Sequence, residues 1–438
     1  MRKHIAVYLL TSVLAILYMT SCESDNYLNK TRNNDPISIM KVETVPLLDP
    51  RYEGEDSSAR VVAYGANDFA FQLSAALIQD ARGENFIVSP YSVWLPLAAL
   101  LNATNDAYQE ELLTVLGASG INPKDVNRAV SRMLFDLTNE QDRDFSDYHN
   151  PLQIVNAVFV DHNMTPLENF AQDFVNFYRG SVINVDFKSL EAVEAINNWA
   201  SDHTEGLIRN LVQGFNPETV AAIANAIYFS DRWHWEFSSE QTIEEIFYAP
   251  SGESITYFMQ REGRDQLYFE DENLQAIHLE FATGGGMSIL LPRSGDAVDL
   301  LSSMTNESFE YTRKNATLRE GRLLMPRFSI ENSIELVEVL TALGIPLFDE
   351  IAAPLSGIIY EESTWLSSAM QKAMIEVDER GTTATAVTVI AIEAVSVEEP
   401  ESQEPFEMIC NSPFVFVLHR QSSDGANQIL FIGIVNQP

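Results

Sequence analysis

Seven histidines, two cysteines and 63 acidic side chains are this 438-residue chain's raw material for acid–base, nucleophilic or metal chemistry. Their spacing assembles none of it. No H-E-x-x-H pair lies on a helical face, and no paired cysteines offer a zinc site. No G-x-S-x-G sets a serine on a strand-to-helix elbow. Asp161, His162 and His278 have the residue types of a hydrolytic triad, but no motif links them. "TGGGMSILLP" (283–292) has the glycines of a phosphate loop without the Lys-Ser/Thr that must follow, and it leads into a strand, so it reads as a hairpin turn. Tyr228, Phe229 and Trp233 in "YFSDRWHWEF" read as core rather than as a ligand box. No catalysis, cofactor or metal is expected.

A different kind of chemistry is suggested by "GTTATAVTVIAIEAVS" (381–396). From Thr382 to Ile392 it has no charge and no glycine, and no proline appears before Pro400. Val, Ile and Thr dominate, the residues that suit a pleated surface. Yet acidic "IEVDER" precedes it and "VEEPESQEPFE" follows, so a strand-forming segment lies inside what composition marks as an exposed loop.

The elements around it must be read before that loop makes sense. The formal net charge of −36 argues against nucleic acid and anionic membrane surfaces, which require clustered Lys and Arg, and leaves cationic protein partners open. Hydrophobic residues make up 46% of the chain, enough for a large core, and no internal change of composition marks a linker between domains. Residues 1–21 read as an export signal: charged "MRKH", an apolar run and a small-residue end. The run ending at Thr20-Ser21-Cys22 resembles the lipobox of bacterial lipoproteins, which implies a lipid anchor on Cys22 and display on an outer envelope or cell surface; ordinary secretion with a free Cys22 is the alternative. Residues 22–60 are polar and proline-punctuated, a linker before a folded domain at 61–438. With Cys22 lipidated, Cys410 has no partner for a disulfide.

Within the domain, helical spacing dominates first. "ANDFAFQLSAALIQDA", "DAYQEELLTVLG", "KDVNRAVSRMLFDLTNE", "LENFAQDFVNFYRG" and "AVEAINNWASDHTEG" read as helices, with Gly117, Gly180 and Gly206 closing three of them. "NFIVSP" and "QIVNAVFVDHN" read as strands, and after Val220 strands prevail: "AAIANAIYFSDRW", "ITYFMQRE", "DQLYFEDENLQAIHLEF", "MSILLP", "EGRLLMPRFSIENSIEL", "SSAMQKAMIEVDE", "PFVFVLHR" and "QILFIGIVNQ". Helices before strands indicate an α+β fold with mostly antiparallel sheets.

Several ordered segments resemble one family, the serpins: "NFIVSPYSV", "INNWASDHTEGLI", "NAIYFSDRWHWEF", "MPRFSIE", "LTALGIPLFDEIAAPLSGI", "KAMIEVDERGT" and "PFVFVLHR…ILFIGIVNQP", spanning Val61 to Pro438. The resemblance implies one domain of three mostly antiparallel sheets and about nine helices. It makes residues 379–405 the reactive-centre loop, a protease bait whose amino-side part inserts into the central sheet after cleavage to the acyl-enzyme.

Gly381 is then the hinge, and Thr382, Ala384, Ala386, Thr388, Ile390 and Ile392 are the alternate residues that enter the core. A charge at any of them would be buried unpaired. About ten residues gaining ladders on both sides, at about 1 kcal/mol net per bond, would supply about 10–20 kcal/mol. A polar shutter cluster is implied at Ser89, Ser92 and Asn225, with Gln371 where the family usually has histidine; Trp233 and Lys372 are implied as breach-region residues. Counting forward from Gly381, the fifteenth residue is Val395, which puts the scissile bond at Val395–Ser396; counting back from "NSPF" gives Ser402 instead. We adopt the forward count, because insertion length is what the mechanism constrains.

Small aliphatic Val395 suits the shallow apolar pocket of an elastase-like protease, and residues 381–412 contain no Lys or Arg for a trypsin-like one. The expected activity is irreversible suicide inhibition of a serine endopeptidase by a monomer, through a covalent acyl-enzyme complex. The alternatives are a non-inhibitory serpin acting as a binding or chaperone protein, and cross-class inhibition of papain-like cysteine proteases.

Overall fold

Helices come first and strands later, as the periodicity predicts. The structure, a computed structural model, describes residues 38–39, 57–79, 83–138, 152–204, 206, 208–215, 218–360, 363–382, 404–421 and 427–438. Cys22, the signal segment, and the loop positions Ala384, Ala386, Thr388, Ile390, Ile392, Val395 and Ser396 lie outside the described residues.

Among the described residues there are nine α-helices: α1 Ser57–Ile78, α2 Pro90–Leu100, α3 Asp106–Val115, α4 Pro123–Thr138, α5 Glu168–Tyr178, α6 Leu190–Asp202, α7 Ala297–Ser303, α8 Asn306–Lys314 and α9 Val337–Ala342. The strands are β1 Ser38–Ile39, β2 Phe86–Val88, β3 Leu152–Asp161, β4 Gly180–Val185, β5 Ala221–Phe229, β6 Asp231–Arg232, β7 Ile243–Ala249, β8 Gly252–Glu270 and β9 Leu274–Glu280. They continue as β10 Gly286–Pro292, β11 Thr317–Pro326, β12 Phe328–Glu335, β13 Met370–Val377, β14 Gly381–Thr382, β15 Phe406–Ile409, β16 Phe414–Gln421 and β17 Asn427–Val435.

They form three sheets. One runs β1-β4-β3-β5 and another β12-β13-β14-β6, each four-stranded; the largest, nine-stranded, runs β15-β11-β8-β9-β10-β16-β17-β2 with β7 also on β8. All pairs are antiparallel except β3–β4 and β11–β15. The α+β class with three mostly antiparallel sheets is therefore what the chain adopts. Strand β1 falls inside the segment read as linker, where Ser38 and Ile39 pair with Asn184 and Ile183 on the sheet edge.

Helix α1 is long and apolar enough to cross a membrane by composition, but Val62, Phe69, Ala70 and Leu73 on it are core residues. Its Gly65 lies against Gly117 at the end of α3, where a Cβ would sit 2.4 Å from the Gly117 carbonyl oxygen, so this crossing depends on a glycine.

Two local readings change and a third holds. Gly180 does not close α5: Arg179 takes the left-handed turn at φ 52, and Gly180 opens β4, where a Cβ would meet the Phe174 ring at 2.0 Å. "ITYFMQRE" and "DQLYFE" are one continuous strand, β8, which ends where the Asp271 carboxylate accepts the Asn273 and Leu274 amides and turns the chain into β9. Thr283 to Gly286 is a hairpin connection between β9 and β10, with Gly284 and Gly285 at φ 103 and 77, as read from the sequence.

Candidate functional site: the sheet opening and the loop hinge

Strands β5 and β13 carry the alternating patterns "AAIANAIYF" and "MQKAMIEV", each with one apolar face. Among the described residues β5 pairs only with β3, while β13 pairs with β12 and β14. Between β5 and β13 lies a cavity of about 170 Å³ lined by residues of both, including Ala222, Ala224, Ala226, Gln371 and Ala373. Small side chains on the facing strands leave room for incoming ones.

Strand β14 stands at one end of this gap. Thr382, 1% exposed, pairs with Val377 of β13 on one side and Asp231 of β6 on the other. It is the one pair of residues, Gly381 and Thr382, that joins β13 to β6 in the described structure. The sequence suggests backbone freedom as the reason for Gly381; the structure adds close approach, since a Cβ there would fall 2.1 Å from the Asp231 carbonyl oxygen.

The turn before it is held from several sides. The Asp378 carboxylate accepts the Arg380 and Gly381 amides at 2.8 and 3.2 Å. Trp233 stacks on Phe281 with centroids 4.9 Å apart, donates its indole N–H to the Asp378 carbonyl at 2.9 Å, and donates its backbone N–H to the Arg380 carbonyl at 2.8 Å. The Glu379 carboxylate is buried, accepts Arg327 Nε at 2.9 Å and Nη2 at 2.5 Å, and accepts the Thr242 hydroxyl. Burial pulls its pKa up, but the Arg327 and Thr242 bonds outweigh that and hold it below the ordinary glutamate value.

Farther along β13, Gln371 is 6% exposed and makes three hydrogen bonds. Its amide nitrogen donates to the Ser89 carbonyl at 2.7 Å and to Ser92 Oγ at 2.6 Å, and its carbonyl oxygen accepts the Ser89 amide at 2.9 Å. Ser89 Oγ donates in turn to the Leu430 carbonyl at 2.8 Å. Gln371 thus ties β13 to the start of α2 and to β17, using both donor and acceptor as the glutamine head group allows.

Ser89, Ser92 and Gln371 are therefore together, but Asn225 is not bonded to them. It faces Asn156 on β3, to which its Nδ2 donates at 2.9 Å, while its buried Oδ1 has no hydrogen-bond partner among the described residues. All four line the same cavity. Lys372 is not part of the hinge corner that Trp233 braces: it sits beside Gln371, and its Nζ is 2.6 Å from Glu331 on β12. Asp161 and His162 lie at the end of β3 and His278 on β9 of another sheet, so no triad forms among them. His278 instead contacts Ser288 Oγ through Nδ1 at 2.7 Å, inside the largest sheet.

The sequence reading missed Asp231, Thr283, Arg420, Glu379, Arg327 and Thr242. All but Thr242 stand inside quoted segments, but only Glu379, an acid beside the hinge in "EVDERGT", carried a usable signal; nothing local marks the rest.

A family model described as serpin (serine protease inhibitor) matches residues 64–438. A serpin-like protein of Methanosarcina acetivorans is 30% identical, covering 86% of this chain and 88% of its own. Plasminogen activator inhibitor 1 of Mus musculus is 26% identical over 86% of this chain and 92% of its own. The crystal structure of the thermophilic serpin tengpin in its native state superposes with a TM-score of 0.76 at 25% identity, covering 91% of this chain and 98% of that one. With a split sheet, a strand-forming hinge at its opening and a match over nearly the whole folded domain, the chain belongs to the serpin family, described as serine protease inhibitors rather than enzymes.

Proposed function

We propose that this serpin is an irreversible suicide inhibitor of a serine endopeptidase with elastase-like preference, cleaved at Val395–Ser396. The observation that carries the reading is the position of Gly381 and Thr382, already paired as a short strand at the mouth of the gap between β5 and β13. Continuing that strand needs uncharged alternate residues and no proline, which 383–392 supply. The same reading places the domain outside the cytoplasm, anchored through lipid on Cys22, and acting as a monomer. The acidic chain would favour encounter with a cationic protease, at a rate that falls as salt rises.

Incubation with elastase-like, trypsin-like and papain-like proteases followed by denaturing electrophoresis tests this. A covalent band at the summed mass with the elastase-like enzyme is expected, with a released peptide beginning at Ser396. A peptide beginning at Gln403 would move the bond to Ser402, and a covalent band with the papain-like enzyme would add cysteine proteases. Cleavage without a covalent band would favour a binding role, the reading suggested by similarity (26% identity) to a protein named corticosteroid-binding globulin, of Ovis aries.

A further inference from the structure

Strand β6 has two residues, and the Asp231 side chain is one of the ties that hold it to the largest sheet, beside the Ala282 and His234 backbone bonds. Asp231 is 4% exposed, and its carboxylate reaches away from β14 into the largest sheet. Oδ1 accepts the Arg232 amide at 2.8 Å; Oδ2 accepts the Thr283 amide at 3.4 Å and the Thr283 hydroxyl. Arg420 Nη1 lies 3.2 Å from that same hydroxyl. The backbone of Asp231 serves the loop: its N–H donates to Thr382 Oγ1 at 3.3 Å, and its carbonyl lies 3.4 Å from that oxygen. Gly381 lies directly over this peptide, closer than any side chain would permit. The docked β14 therefore packs on the backbone of the residue whose carboxylate is buried on the other side, and lifting β14 away would loosen this corner and give water a route to the acid.

We propose that Asp231 is a positioning residue for the first step of loop insertion, coupling the docking of Gly381 and Thr382 between β6 and β13 to the uptake of a proton. The inference rests on reading these two residues as the leading edge of the inserting loop.

The sign follows from burial. Desolvation outweighs the Thr283 and Arg232 donors and the Arg420 charge, so the Asp231 pKa is pushed up to about 6. A docked corner with the higher pKa binds the proton better than a wet one, so docking strengthens as pH falls through 6 and levels off below the ordinary aspartate value. For a rise from 3.8 to about 6, linkage makes the docking equilibrium about tenfold more favourable at pH 5 than at pH 8. Other charged groups face the corner: Arg420 from β16, Glu280 from the end of β9, Arg232 and His234 from the β6 segment, and Asp378, Glu379 and Arg380 from the turn before β14. Glu379 is held low by Arg327 and Thr242 and stays ionised over this range. His234 is exposed, and its substitution serves as the control.

The test is hydrogen exchange of the segment containing 378–382 in the full-length protein from pH 5 to pH 8, corrected for intrinsic rates. The parent and His234→Gln should gain about tenfold protection toward pH 5. Asp231→Asn should be flat. Thr283→Val, which removes one donor and keeps the acid, should move the midpoint upward and serves if Asp231→Asn does not fold. An unchanged slope in Asp231→Asn, an unmoved midpoint in Thr283→Val, or a slope lost in His234→Gln would overturn the proposal. Exchange needs no protease, so failure to form a covalent complex would sink the inhibitory reading while leaving this linkage standing.

Discussion

Gln371→Ala probes the tie that keeps β13 in place. The substitution deletes three hydrogen bonds, two donated by the amide nitrogen and one accepted by its oxygen. The Ser89 carbonyl would keep bonds from the Ser92 hydroxyl at 3.0 Å and the Ser92 amide at 3.1 Å, so the one group left without a partner is the Ser89 N–H. Three bonds at about 1 kcal/mol net would give about 3 kcal/mol, with an orphaned N–H adding more. The neighbouring cavity of about 170 Å³ is roomy enough for water to satisfy that N–H, which trims the estimate to about 2–3 kcal/mol. Unfolding entropy of about 2 cal/mol/K per residue over a domain of this size converts that to a melting point lowered by about 3–4 °C.

Because the gap between β5 and β13 must widen to admit a strand, the variant should also lose activity faster on storage, a rate rather than an equilibrium effect. Thermal scans at a fixed rate and a storage time course read the two quantities. Gln371→Glu sharpens the test. Its ionised carboxylate could still accept the Ser89 N–H but has no proton for the Ser89 carbonyl or Ser92. Burial raises its folded pKa, so stability should recover as pH falls from 7 toward 5. An unshifted alanine variant together with a pH-independent glutamate variant would refute the view that this network fixes β13 beside the gap.

Other outcomes follow from the same geometry. Thr382→Arg puts a charge at a site enclosed by β6 and β13, which should cost several kcal/mol on insertion and turn inhibition into plain cleavage; an undiminished yield of covalent complex would contradict insertion. Clean cleavage within 393–402 should raise the melting temperature well above that of the intact protein, because the freed strand can complete the sheet, whereas ordinary nicking leaves stability unchanged or lower. His278 is buried, and desolvation followed by the Arg313 charge lowers its pKa to about 3; His419 beside it is lowered by burial, by Arg313 and by His278 itself. Since the unfolded chain takes up these protons below about pH 6.5 and the folded one does not, stability should fall from pH 7 to pH 5 by about 2 kcal/mol through His278, with His419 acting in the same direction, and denaturant titrations of His278→Gln should show a shallower loss.

Periodicity, turn residues and ordered motifs made the α+β class legible, because those signals reside within single segments; of the strand-reading loop only Gly381 and Thr382 lie among the described residues. The site is built from register. Asn225 meets Asn156 because β3 and β5 pair at that step, and no local pattern distinguishes this from a bond to Ser89. Arg327 and Glu379 are 52 positions apart and meet only through the pairing of β12 with β13. Asp231 is least legible of all: it falls in the strand-reading segment "AAIANAIYFSDRW" with no local mark of burial, and only the β9–β10 hairpin and β16 make it a buried carboxylate. Gln371 shows the converse. It departs from the histidine usual in the family, yet the structure uses its donor and its acceptor, so a neutral side chain makes these contacts without a titrating group. If proton sensitivity is to enter sheet opening in this chain, it must come from elsewhere, and the buried acid beside Thr382 is placed to supply it at the hinge rather than at the middle of the sheet.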